Sequence, residues 1–240
     1  MSKSFFVDTT LCMACRGCQV ACKQWHDLPA EATVNHGTYQ NPSDLSFDTY
    51  KLVRMREEVV GGRLRWLFFP DQCRHCVEAP CEATAGDASA IYTSEASGAV
   101  LYTAGTRQLD AAEIIDSCPY NIPRKGADGT LAKCDMCSDR VENGLEPACV
   151  KVCPTGAMNF GERDDMLTLA NERLAQVKGK FPKAMLLDPN DVRTIYMVAF
   201  EPTLYHEFAV AAATAGPGIT RQAALRRMLR PFKQIAAQLS

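Results

Sequence analysis

No stretch of about 18 consecutive apolar residues occurs in this 240-residue sequence, so no transmembrane helix is expected. Its first residues, MSKSFFVDTTLC, hold only a short apolar patch before the first cysteine, and no secretory leader is expected there. An excess of charge is missing as well: 26 Lys and Arg against 28 Asp and Glu leave a formal net charge of −2. That argues against a nucleic-acid binder held by phosphate contacts. No acid/base pair or nucleophile arrangement is legible, so the sequence predicts no substrate catalysis of its own. Histidine is scarce: His26, His36 and His206 stand in no motif, and His75 sits between two cysteines, where packing is its expected role. With 47% hydrophobic and 22% charged residues, the chain can bury a core as one large domain or two small ones.

Against these absences stand twelve cysteines. They are clumped. Cys12, Cys15, Cys18 and Cys22 are spaced C-x2-C-x2-C-x3-C, and Cys73, Cys76 and Cys81 are spaced C-x2-C-x4-C. Cys118 stands alone before Pro119, while Cys134, Cys137, Cys149 and Cys153 are spaced C-x2-C-x11-C-x3-C and followed by Pro154. Extending the x3 step of the first and last groups past Cys81 lands on Ala85. Counting back from Cys118 by the first group's spacing lands on Ile114, Ala111 and Gln108. The middle of the chain therefore reads as two further motif copies that have lost four thiols between them, an internal repeat with one site erased.

Six disulfides would suit neither a reducing compartment nor the density of the first group. Zinc is the stronger rival, because C-x2-C pairs suit tetrahedral zinc, although its structural sites usually use two separated pairs. A 4Fe-4S cubane needs a thiolate on each of four irons, and a run of three closely spaced thiols wraps one face. In two-cluster ferredoxins the fourth cysteine of each run ligates the other cluster. Proline after that cysteine turns the chain away, because it fixes φ and lacks an amide donor. Under this rule Cys12, Cys15, Cys18 and Cys153 would bind one cluster, and Cys22, Cys134, Cys137 and Cys149 a second. Cys73, Cys76, Cys81 and Cys118 are left for a third, and no thiol remains over. Arg16, Lys23, Arg74 and Lys133 flank ligands, where they would offset cluster charge or simply be solvated.

Phe5–Asp8 reads as a strand, and Lys51–Val60 with Arg63–Phe69 as a hairpin turning at Gly61-Gly62. A second hairpin is expected from Ala90–Thr93 and Ala99–Thr103 around Ser97-Gly98. Asp110–Ser117 and Glu162–Lys178 are expected to be helical, and Arg193–Phe200 a buried strand. Trp25, Trp66 and Phe68-Phe69 are expected in the core. From Thr220 the tail is helix-prone and basic, suited to docking on a partner's acidic face.

The stretches CMACRGCQVACKQW, WLFFPDQCRHCVEAPC, SCPYNIPRK and KCDMCSDRVENGLEPACVKVCPTGAMNFG resemble the iron–sulfur (β) subunits of molybdopterin oxidoreductases, those of formate dehydrogenases above all. The resemblance covers roughly residues 1–162, with DPNDVRTIY agreeing further on. Family members bound to a membrane cytochrome have four complete motifs and a C-terminal membrane helix. Here thiols are missing and Phe208–Ala215 is too short to span. The chain is thus more similar to the small subunit of soluble two-subunit formate dehydrogenases of sulfate-reducing bacteria. That resemblance implies a large catalytic subunit carrying tungsten or molybdenum bis-pterin, and a multihaem c-type cytochrome as acceptor. It also implies a periplasmic location reached on the large subunit's export signal, a cytoplasmic one being the alternative. The expected fold is α+β, built of ferredoxin-like 4Fe-4S modules. Residues 1–62 and 124–162 would form a paired-cluster module, 63–123 a nested degenerate module with one cluster, and 163–240 a C-terminal helical extension docking on the large subunit. In the family the paired module faces the catalytic subunit, which would make the third site the electron exit. A relay for thiosulfate, polysulfide, sulfoxide or nitrate chemistry, a free ferredoxin-like carrier and a zinc-stabilised interaction module stay open at this point.

Overall fold

The computed structural model describes residues 2–35 and 37–211; His36 and the basic tail lie outside the described residues. In chain order the elements are β1 (Lys3–Asp8), α1 (Gly17–Trp25), β2 (Leu52–Val60), β3 (Arg63–Asp71), α2 (Pro80–Ala85), β4 (Ile91–Thr93) and β5 (Val100–Tyr102). There follow α3 (Ala111–Asp116), β6 (Arg124–Lys125), β7 (Leu131–Ala132), α4 (Ser138–Glu142), α5 (Ala148–Lys151), β8 (Met158–Glu162), α6 (Arg163–Lys178), β9 (Met185–Leu187), β10 (Thr194–Val198) and α7 (Pro202–Tyr205). The fold is α+β with small sheets, consistent with the ferredoxin-like expectation.

The centre is a four-stranded sheet of order β8-β1-β10-β9. β1 runs antiparallel to β8 and parallel to β10, with Phe5 opposite Phe160 and Thr194. Parallel neighbours are usually covered on both faces, and this pair is. Phe5, Val7, Tyr196 and Val198 point into one apolar cluster with Phe69, Met136 and Val150. Phe6, Ile195 and Met197 point into another, where Ala170 and Met166 of α6 pack. The last part of the described chain therefore supplies two strands to the same sheet as its first strand.

β2 and β3 pair in register from Leu52–Asp71 to Val60–Arg63. The turn needs φ near +60° at two successive residues, and Gly61 (59°) and Gly62 (74°) supply it. α3 is capped by Asp110, whose Oδ1 accepts from the Ala112 amide at 2.9 Å. The hairpin around Ser97-Gly98 and the helix after Glu162 also form as expected. The strands β8 and β9 and the short helix α2 do not follow from the sequence pattern. Two tryptophans depart from expectation: Trp25 and Trp66 are 43% and 58% exposed. Trp66 lies on the outward side of β3 against Tyr39, and Trp25 lies under the Arg140 guanidinium with its indole N–H donating to Asp139. Of the pair Phe68-Phe69, only Phe69 is fully buried.

Beneath the hairpin a charged network is sealed from solvent. Asp71 accepts from Arg54 Nε at 2.7 Å and from Arg74 Nη1 at 2.8 Å. Arg74 is also sandwiched by rings, 4.6 Å from the Tyr196 centroid and 5.0 Å from that of Tyr120. Burial beside this network pushes His206 down to about 4, although Asp71 pulls the other way. In the unfolded chain a histidine titrates near 6.5, so between that value and 4 the unfolded state binds more protons. Folding stability then falls as pH drops through this window. Lowering pH from 7 to 5 is expected to cost about 2 kcal/mol through His206, and denaturant unfolding of His206→Gln should lack that increment. An unchanged pH slope in the variant would remove the assignment.

Candidate metal centres

α1 presents Cys18 and Cys22 one helical turn apart and therefore on one face, which is buried together with Gln19. Gln19 anchors that face, donating to Asn41 O at 2.9 Å and accepting from the Val53 amide at 3.2 Å. α5 packs against α1 and presents Cys149, with Cys153 four residues on. The two elements meet head to tail: Cys22 neighbours Cys149 electrostatically, and Cys18 neighbours Cys153. Cys12 and Cys15 join Cys18 and Cys153, while Cys134 and Cys137 join Cys22 and Cys149. Each end of the helix pair thus gathers thiols from two segments more than a hundred residues apart.

The remaining thiols, Cys73, Cys76, Cys81 and Cys118, line one cavity with Tyr102, Tyr120 and Lys133. β10 and the residue before it hold their first loop. Thr194 Oγ1 donates to Cys73 O at 2.8 Å, the Thr194 amide donates to Arg74 O, and Arg193 Nη1 donates to Cys76 O at 2.8 Å. Cys149 neighbours Cys18, and Cys134 neighbours Cys73. The three groups therefore form a row, with the paired groups adjoining and the Cys73 group at one end. All twelve cysteines are free thiols.

The three loops opening with C-x2-C share a backbone feature. The residue before the second cysteine is left-handed each time: Ala14 (φ 55°), His75 (46°) and Met136 (66°). None is glycine, so each costs about 1–2 kcal/mol and persists only because the surroundings impose it. Left-handed residues of this kind curl successive amides into a concavity that favours negative charge. The His75 amide indeed points at Cys73 Sγ, 3.4 Å away.

Burial dominates the thiol electrostatics. It pushes Cys12 and Cys149 up to about 11 and Cys118 and Cys137 up to about 12, with neighbouring sulfurs adding to the rise. Cys153 differs: burial raises it, but the Met158, Thr155 and Ala157 amides and the Thr155 hydroxyl more than offset this. Burial thus opposes ionisation at Cys12, Cys118, Cys137 and Cys149. Two ammonium groups are enclosed as well. Lys51 is 2% exposed and donates to Pro70 O and Gln72 Oε1; Lys133 is 6% exposed and donates to Val100 O and Cys134 O. Among the described residues neither has a carboxylate within ion-pair distance. A buried cation needs a counter-charge. Tetrathiolate donor sets beside unpaired ammonium groups fit a bound group that takes four thiolates and is net negative, as a 4Fe-4S cluster is.

Of the flanking cations read from the sequence, Arg74 and Lys133 are buried. Lys23 is engaged by the Pro29 and Asp48 carbonyls, and Arg16 opens α1 in a left-handed conformation. His75 is fully buried and neutral, its Nδ1 accepting from the Val100 amide. Three of the positions lacking thiols, Ala85, Ala111 and Ile114, lie in one apolar cluster with Ile91, Val100 and Leu131, while Gln108 is exposed. Alkyl side chains thus fill space near the third group. Two participants escaped sequence reading. His26 Nε2 lies 3.6 Å from Cys137 Sγ and 3.4 Å from Asp135, and Lys51 lies between the paired groups. Neither stands in a cysteine motif.

Residues 64–163 match the family model for a 4Fe-4S dicluster domain. The chain is 59% identical over 215 residues to the formate dehydrogenase subunit beta of Megalodesulfovibrio gigas, covering 88% of this chain and all of the relative. It is 51% identical over 216 residues to the formate dehydrogenase 2 subunit beta (cytochrome c-553) of Nitratidesulfovibrio vulgaris, covering 87% and 99%. Against the nitrate-inducible formate dehydrogenase iron–sulfur subunit of Escherichia coli it is 38% identical over 207 residues, covering 83% and 70%.

Proposed function

Because this chain belongs to the family of formate dehydrogenase β, or iron–sulfur, subunits, we propose that it is a three-cluster wire. It carries electrons from formate oxidation on a tungsten or molybdenum bis-pterin subunit to a c-type cytochrome. The chain is an electron-transfer component of the complex and not its catalytic part. When bound, each 4Fe-4S cluster supplies a one-electron couple. Cys12, Cys15, Cys18 and Cys153 hold the first, Cys22, Cys134, Cys137 and Cys149 the second, and Cys73, Cys76, Cys81 and Cys118 the third. The carrying observation is the row of three thiol groups, in which no cysteine is left over.

The side chains around each group set its electronics. Buried ammonium and guanidinium groups offset thiolate charge, amides donate to sulfur, and apolar neighbours keep water away. The partner large subunit makes a heterodimer with this chain, and the complex works in the periplasm. The cytochrome c-553 in the name of the N. vulgaris relative favours a c-type acceptor. No helix among the described residues is long and apolar enough to cross a membrane.

Iron and acid-labile sulfide should each approach about twelve per chain. Stoichiometric zinc in a colourless protein would end the reading. Cys153→Ser is expected to perturb the cluster held by Cys12, Cys15 and Cys18 and to spare the one held by Cys134. Electron paramagnetic resonance of the reduced protein reads this directly, and the reverse pattern would falsify the crossed ligand sets.

A further inference from the structure

Lys51 opens the approach to β2, yet it lies deeper than any ordinary lysine, 2% exposed. Its ammonium is held from one side by Pro70 O and Gln72 Oε1, at the end of β3. Nothing in that cradle carries negative charge. The buried guanidinium groups Arg54 and Arg74, by contrast, share Asp71. Lys51 instead faces sulfur from two groups. Cys18 and Cys149 act on it most strongly among the titratable neighbours, followed by Tyr196 and then Cys134. It acts in turn on Cys12 and Cys22. Cys12 and Cys18 belong to the first ligand set, and Cys22, Cys134 and Cys149 to the second. The cation in the third group's cavity wall is a separate one, Lys133, which acts on Cys81.

We propose that Lys51 is a shared potential-setting charge, a single buried ammonium that raises the midpoint potentials of the first and second clusters together. The proposal rests on the ligand sets given above. Each one-electron reduction adds a negative charge to a cluster, and a fixed cation nearby favours the reduced form. A cation placed between two clusters moves both couples in the same direction. The electron step between them then keeps its driving force, while the steps into and out of the pair are retuned. Water cannot screen the effect, because the site is sealed.

The test is a redox titration of the two-subunit complex followed by electron paramagnetic resonance, with signals assigned through Cys153→Ser and Cys118→Ser. Lys51→Met keeps the length and removes the charge. It is expected to disfavour reduction of both the first and second clusters roughly tenfold or more, which is about 59 mV or more downward for a one-electron couple. The third cluster should change less than about threefold, and Lys51→Arg should keep the first two near wild type. If Lys51→Met carries less iron than wild type, Lys51→Gln is titrated in its place and the same shifts are expected. Unmoved first and second midpoints, or equal movement of all three, overturn the proposal. Failure of the ligand reading looks different, since it shows in the iron content and in the Cys153→Ser spectrum before Lys51 is changed.

Discussion

Asp71→Asn is expected to destabilise the folded protein by about 3–5 kcal/mol, the cost of leaving buried cations without their counter-charge. Asp71 has no solvent exposure and pairs with both Arg54 and Arg74. Burial pushes its carboxyl up, but Arg74 and Arg54 more than offset this and hold it below the ordinary carboxylate range. The amide keeps the shape and loses the charge, so Arg74 is left in a sealed space without a carboxylate and Arg54 with only the half-exposed Asp44. Arg74 belongs to the Cys73–Cys76 loop, and its own stack on Tyr120 and Tyr196 depends on that anchor. The damage should therefore reach the third thiol group first, seen as early iron loss during denaturation. Asp44→Asn is the control. It faces Arg54 and Arg124 from a side chain 48% exposed, and solvent screening should limit its cost to about 1 kcal/mol or less. Equal losses in the two variants, measured by chemical denaturation, would show that the buried network carries no special weight.

Cys118→Ser is expected to abolish cytochrome reduction while formate still reduces the first two clusters. Cys118 comes from the turn after α3, far in sequence from its three companions, and it closes the cavity at the end of the row. Losing it removes the proposed exit and leaves the paired groups in place, because Cys118 belongs to neither of their thiol sets. Stopped-flow cytochrome reduction, set beside electron paramagnetic resonance of the formate-reduced complex, separates the two halves of this outcome. Unimpaired cytochrome reduction would place the exit elsewhere. Loss of formate-dependent reduction in all clusters would reverse the direction assigned to the wire.

What could be read along the chain was local. Cysteine spacing determined the chemistry, because a few intervening residues limit which sulfurs can reach one inorganic face. Gly61-Gly62 determined the hairpin turn because only glycine accepts positive φ freely. Even the missing thiols at Ala85, Ala111 and Ile114 were legible as gaps in a repeat. Burial was harder. Trp66 and Trp25 look like core residues by type, but strand alternation and a surface stack decide their exposure. Only the tertiary structure brought β10 beside β1, with Thr194 opposite Phe5, so that β10 clamps the Cys73 loop. Only it imposed left-handed backbone on Ala14, His75 and Met136, and only it enclosed Lys51 between two thiol groups. The physical reason is common to these cases: spacing along a chain governs what near neighbours can do, whereas burial, strain and field are set by residues that meet only after the chain has folded.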